Sequence, residues 1–201
     1  MITDYLPPVD WALLLPLLQH DNAVVLALCL ETGLRVGDAV ALPSAALDGL
    51  TLTYTAAKTG KAGSVKLHPE TAAKLKACSG SGWLFPSRTS KSGHRTRQAV
   101  WHDVKKAAAA AGVSGNIAPH SARKTFAVEK LHQEGLGATK KALQHNSTIT
   151  TLLYALSDLT RRESATVDGQ QLADLVALRV VELLYQALRS VAEHEKRATP
   201  K

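Results

Sequence analysis

One stretch of this chain alternates with period two. In LTLTYTAA, residues 50–57, Leu50, Leu52 and Tyr54 face one way and Thr51, Thr53 and Thr55 the other. Such alternation makes a half-buried strand. Gly60 and Gly63 supply a turn, and SVKLH (64–68) returns as a second strand. The result is an antiparallel hairpin with Lys58 and Lys61 near its tip. The other periodic segments are helical, so the expected fold class is α+β, mainly α: helices with one small antiparallel sheet.

Residues 8–31 read as two helices, the first begun by Pro8-Val9-Asp10 and the apolar second preceded by Asp21-Asn22. Gly33 ends the second, and Arg35 opens a short third one, VGDAVAL. Pro69 and Glu70 open a helix over 69–77. Residues 79–96 are Gly/Ser-rich and basic, a surface loop around an apolar WLF anchor. A helix over 97–111 ends at Gly112, and Pro119 and Gly135 bracket another that starts at 120 or 121 and runs to 134. Shorter helices are expected at 138–144 and 148–156. Residues 1–157 then form one domain, 158–168 a polar linker, and 169–201 a C-terminal helix with Leu172, Val176, Val180, Leu184, Ala187 and Val191 in an apolar stripe.

The formal net charge of +7 suits a polyanionic partner, nucleic acid or an anionic membrane surface. The apolar runs at 11–18 and 23–30 fall far short of the ~20 residues a membrane helix needs. MITDYLPPVD has no basic stretch before an apolar one, so no signal peptide is expected. Two cysteines, Cys29 in an apolar run and Cys78 in a loop-like segment, offer no disulfide framework and no cysteine-based metal site. These features describe a reduced, intracellular, soluble chain. The eight histidines show no HExxH spacing, and no GxxxxGK[ST] loop occurs, which argues against metalloenzyme and nucleotide-hydrolase chemistry.

HSARKTFA, residues 120–127, places His120, Arg123 and Lys124 on the first turn of a helix. Cations there oppose the macrodipole, unless an anion sits between them and the backbone N–H groups. Arg35 repeats the pattern at the start of its own helix. A lone arginine so placed is ordinarily a surface residue, here paired with Asp38. Two in one basic chain point to an oxyanion held by two guanidiniums, whose planar forks donate bidentate hydrogen bonds to phosphate.

The ordered set ETGLRVGDAVAL, AAKTGK, HSARKTFA and LQHNSTITTLLY closely resembles the tyrosine recombinases of the phage integrase family, from about residue 20 to 157. The resemblance implies catalytic roles for Arg35, Lys58, His120, Arg123, His145 and the nucleophile Tyr154, with Asp38 behind them orienting a basic side chain. Lys61 rivals Lys58 for the lysine role. Ala122, Lys124 and Gln144 depart from the family boxes; Gln144 stands where relatives carry glycine before the histidine. The implied reaction cuts and rejoins double-stranded DNA through a 3′-phosphotyrosyl link, with no cofactor and no metal. A type IB topoisomerase or a non-catalytic DNA-binding regulator would use the same fold. Lys61, Lys91, Arg95, Arg97, Lys105, Lys106 and Lys124 are expected to grip backbone phosphates, although Lys105 and Lys106 would equally suit a solvated helix face. The resemblance further implies a homo-oligomer, a tetramer on paired DNA sites, in the cytoplasm and not on a membrane. The C-terminal helix would dock on its own domain or on a neighbouring subunit. Family members usually carry an N-terminal helical domain; this chain starts almost at the catalytic domain, as a fragment or a minimal recombinase would.

Overall fold

The computed structural model describes residues 3–90 and 93–144. The chain divides into two compact units, residues 1–126 and 127–201.

In the first unit, α1 (Pro8–Leu14) starts on a proline, whose missing N–H would have been unpaired in a first turn anyway, and continues as a 3-10 turn, Leu15–Leu17. In α2 (His20–Thr32), Asp21 and Asn22 form the first turn rather than a break before it. That helix start is held from outside: Asp103 Oδ2 accepts from the Gln19 N–H at 2.8 Å and from Asn22 Nδ2 at 2.7 Å, a carboxylate on the positive end of the dipole. Val24, Val25, Leu26, Leu28 and Cys29 are all buried, so α2 is a core helix. Gly33 ends it and Arg35 is the N-cap of α3 (Val36–Val40), as expected.

The hairpin forms as β2 (Thr51–Thr55) and β3 (Ala62–Lys66), with Leu52 opposite Val65. Leu52 is buried, Leu50 and Tyr54 pack against the core, and the three threonines are exposed. The sheet has a third strand, β1 (Leu47–Asp48), paired antiparallel with β2. At two residues it is too short to show a period.

In α4 (Pro69–Cys78), Cys78 is the last helical residue and not part of the loop expected there. The WLF anchor holds: Leu84 and Phe85 are buried, and the Leu84 N–H donates to the Leu42 carbonyl at 2.9 Å. Thr96 caps α5 (Arg97–Ala110), its hydroxyl accepting from the Ala99 N–H at 3.2 Å.

The first turn of α6 (Pro119–Ala142) is closed by Ser121, whose hydroxyl accepts from the Ala118 N–H at 3.2 Å. The N-terminal lead is stapled to this turn. Trp11 Nε1 donates to Thr125 Oγ1 at 2.8 Å, that hydroxyl reaches the Leu6 carbonyl at 2.6 Å, and Lys124 Nζ donates to the Thr3 carbonyl. Asn116 joins the lead too, its N–H donating to Asp4 Oδ2 at 2.6 Å.

In the second unit, Ala127 and Val128 are buried. Gly135, at φ 79 and ψ −179, interrupts α6 where its end was expected, and the following piece resumes sooner than 138. Helices expected at 148–156 and 169–194 lie outside the described residues. Among the described residues, no helix is long and apolar enough to cross a membrane.

Candidate active site

The site begins with the TGLR turn. Thr32 Oγ1 donates to the Leu28 carbonyl at 2.6 Å and accepts from the Leu34 N–H at 3.2 Å. Gly33 takes φ +69, a left-handed angle that a Cβ disfavours, and its N–H closes on the Cys29 carbonyl. This turn reverses the chain and leaves Arg35 half-buried at the start of α3. The carbonyl of Gly33 then accepts from Arg123 Nη1. The two arginines, 88 residues apart in sequence, are thus joined through one turn. Arg123 is only 4% exposed, so its guanidinium is held in place rather than free to sweep through solvent.

Asp38 connects this pair to the hairpin. Its Oδ2 lies 3.8 Å from Arg35 Nη1, and its Oδ1 accepts from the Ala57 N–H at 3.2 Å. Ala57 precedes Lys58, which sits in the turn between β2 and β3, past the strand end rather than on it. The expected pairing of Arg35 with Asp38 is thus present, and the same carboxylate reaches the hairpin turn. Lys58 and Lys61 are both exposed; the Lys61 carbonyl closes the hairpin by accepting from the Ala56 N–H at 2.9 Å.

His120 lies one turn before Arg123 on α6. The residue is exposed, yet its ring is crowded by protein atoms; that desolvation first, then the charges of Arg123, Lys124 and Arg35, push its pKa down to about 4. The imidazole therefore stands uncharged near neutral pH, able to accept a proton. Because the unfolded chain takes this proton first, its contribution to stability is full above about 6.5 and is lost as pH falls through about 4. An NMR titration of the free protein is expected to put the His120 midpoint near 4; a midpoint at 6.5 or above would contradict the crowding by cations. Beneath the site, burial holds the Cys29 thiol up at about 12, with Arg123 opposing and Asp38 reinforcing. It is protonated and inert.

Several residues expected to grip phosphate are placed otherwise. Arg95 is buried, with Nη1 on Asn22 Oδ1 at 2.9 Å and Nη2 on Asp21, because the loop that carries it packs inward behind Phe85. Lys124 is buried and spent on the Thr3 carbonyl. Lys105 donates to Asn116 Oδ1 at 2.6 Å and lies over the Trp101 ring. Arg97 and Lys106 remain exposed; nine residues of helix put them roughly 13 Å apart along the axis and on opposite sides. Lys91, His145 and Tyr154 lie outside the described residues. Cys78, expected to stand apart from any metal-binding group, lies beside His20 and Asp21. Sequence reasoning missed Gly33 as the acceptor that seats Arg123. Its glycine was legible as a helix cap; its long-range bond was not.

Residues 16–161 match the phage integrase family. The chain belongs to that family. Among curated relatives of this integrase-family chain, tyrosine recombinase XerD of Rhizobium meliloti (strain 1021) is 34% identical over 145 residues, 65% of this chain and 45% of the relative. The chain spans about half the length of the curated relatives it matches. Among solved structures, the catalytic domain of bacteriophage HP1 integrase superposes with a TM-score of 0.61 at 21% identity, over 78% of this chain and 89% of that one. A lambda integrase tetramer bound to a Holliday junction gives 0.65 at 19%, over 77% and 48%. The shared fold is the helical catalytic domain with its small antiparallel sheet.

Family membership also gives meaning to the backbone at Gln144. It adopts φ +52, the left-handed region, among the described residues the one non-glycine to do so. A side chain disfavours that region, at a cost of about 1–2 kcal/mol.

Proposed function

We propose that this chain carries the catalytic part of a site-specific DNA recombinase. The observation that carries the reading is the joining of Arg35 and Arg123 through the Gly33 turn, with Asp38 linking Arg35 to the hairpin turn of Lys58. A phosphodiester fits this arrangement. Attack by an oxygen gathers charge on the non-bridging oxygens of a pentacoordinate phosphorus, and two seated guanidiniums stabilise that charge. Tyr154 attacks the phosphorus and loses its phenolic proton with help from uncharged His120. The bond to the 5′-oxygen breaks, and Lys58 protonates the departing hydroxyl. His145 donates to a non-bridging oxygen. The 3′-phosphotyrosyl link conserves the bond, so a 5′-hydroxyl of another strand reverses the step without ATP.

Strand exchange between paired sites calls for several copies, and the likeness to a DNA-bound tetramer supports a tetramer working on DNA; action on chromosomal or phage DNA would place it in the cytoplasm. The exposed Lys58, Lys61, Arg97 and Lys106 supply salt-sensitive phosphate contacts. The test is covalent trapping on nicked DNA from the flanks of the encoding locus, in EDTA, wild type beside Tyr154→Phe. An adduct formed by wild type alone is the expected result. Salt-sensitive binding with no adduct would turn the reading to a DNA-binding regulator, and neither adduct nor binding would overturn it. Relaxation of supercoils without exchange between sites would turn it to a topoisomerase.

A further inference from the structure

We propose that His20, Asp21 and Cys78 form a site for a divalent transition-metal ion of the zinc class. The three side chains come from the first turn of α2 and the last residue of α4, 58 residues apart for His20 and Cys78. Cys78 Sγ lies 3.8 Å from His20 Nδ1 and 3.8 Å from Asp21 Oδ1, and Nδ1 lies 3.4 Å from that carboxylate oxygen. Around a tetrahedral zinc, with bonds of about 2.3 Å to sulfur and about 2.0–2.1 Å to nitrogen and oxygen, ligand atoms stand about 3.3–3.6 Å apart. The observed triangle therefore needs only small side-chain adjustments to place one ion within reach of all three.

The surroundings support the same assignment. Arg95 holds Asp21 by Oδ2, which leaves Oδ1 turned toward the imidazole and the thiol. Arg95 is itself buried and fixed by Asn22 Oδ1 at 2.9 Å. A carboxylate oriented by an outer hydrogen bond is a regular part of a metal site. His20 has a side chain 73% exposed and Asp21 39%, so a fourth position is open to water. A thiolate, an imidazole and a carboxylate together favour zinc-like ions over magnesium or calcium. Without metal the thiol is protonated, since burial first and the Asp21 charge next raise Cys78 to about 11. Binding replaces that proton with a metal–sulfur bond and releases it to solvent. The ion would cross-link the start of α2 to the end of α4, a structural role separate from the proposed reaction.

Cobalt(II) titrated into the full chain, stripped with EDTA and dialysed, tests the site by absorption. Expected is one ion per chain with a thiolate-to-cobalt charge-transfer band in the near ultraviolet, displaced by zinc. Cys78→Ser, which keeps Cys29, loses the band. His20→Ala, at an exposed position that leaves the fold alone, weakens apparent affinity at least about tenfold. No band in the wild type, a band that survives Cys78→Ser, or an affinity unmoved by His20→Ala would each overturn the proposal.

Discussion

Replacing Arg35 with alanine is expected to lower single-turnover DNA cleavage by about 10²–10³-fold, the usual cost of removing one preorganised donor to a developing oxyanion. The structure lets this loss be separated from misfolding. The Arg35 side chain is 29% exposed and its one described ion pair, with Asp38, is 3.8 Å long, so thermal stability is expected to change by no more than about 1 kcal/mol. Asp38 keeps its bond from the Ala57 N–H after the change. Arg123 would be a poorer probe, because its burial and its bond to the Gly33 carbonyl make it part of the fold as well. Arg35→Lys restores charge without the planar fork and is expected to recover only part of the rate. Cleavage by Arg35→Ala within about threefold of wild type would remove Arg35 from the transition state.

The second large effect falls on stability. Trp11→Ala is expected to cost about 3–5 kcal/mol, a fall in Tm of about 10 °C for a chain of this size. Trp11 is 1% exposed in the core and its indole donates to Thr125 Oγ1, the hydroxyl that also holds the Leu6 carbonyl and the Ser121 carbonyl. The change opens a cavity and removes the link from the N-terminal lead to the turn of α6 that carries His120 and Arg123. Trp11→Phe keeps most of the volume and is expected to lose about 1–3 kcal/mol, from the hydrogen bond alone. Equal losses for the two variants, measured by thermal or urea unfolding, would show that the indole N–H rather than the packing dominates.

Local structure was legible where a residue's own chemistry decides it. Gly33 and Arg35 marked the end of one helix and the start of the next, the alternation of LTLTYTAA gave the strand and its buried face, and Gly135 marked the break in α6. These are effects of backbone freedom and side-chain period, which act over a few residues. The two-residue strand β1 had no period to read. It exists because β2 offers it an edge.

Charge was the least legible quantity. Arg95, Lys105 and Lys124 look like surface cations in sequence, yet each is held by a partner at least 11 residues away: Asp21 and Asn22, Asn116, and the Thr3 carbonyl. A basic side chain serves a surface or an interior according to what packs beside it, and sequence spacing carries no record of that.

By itself the sequence determined the helix and strand starts that carry Arg35, Asp38, His120 and Arg123, because caps, turns and periodicity are local. Only the tertiary structure decided that Arg123 is seated on the Gly33 carbonyl, that Asp38 ties Arg35 to the Lys58 turn, that Arg35 adds its charge to those already beside His120, and that Cys78 meets His20 and Asp21. Those are long-range contacts, fixed when burial of the α2 core brings distant segments together.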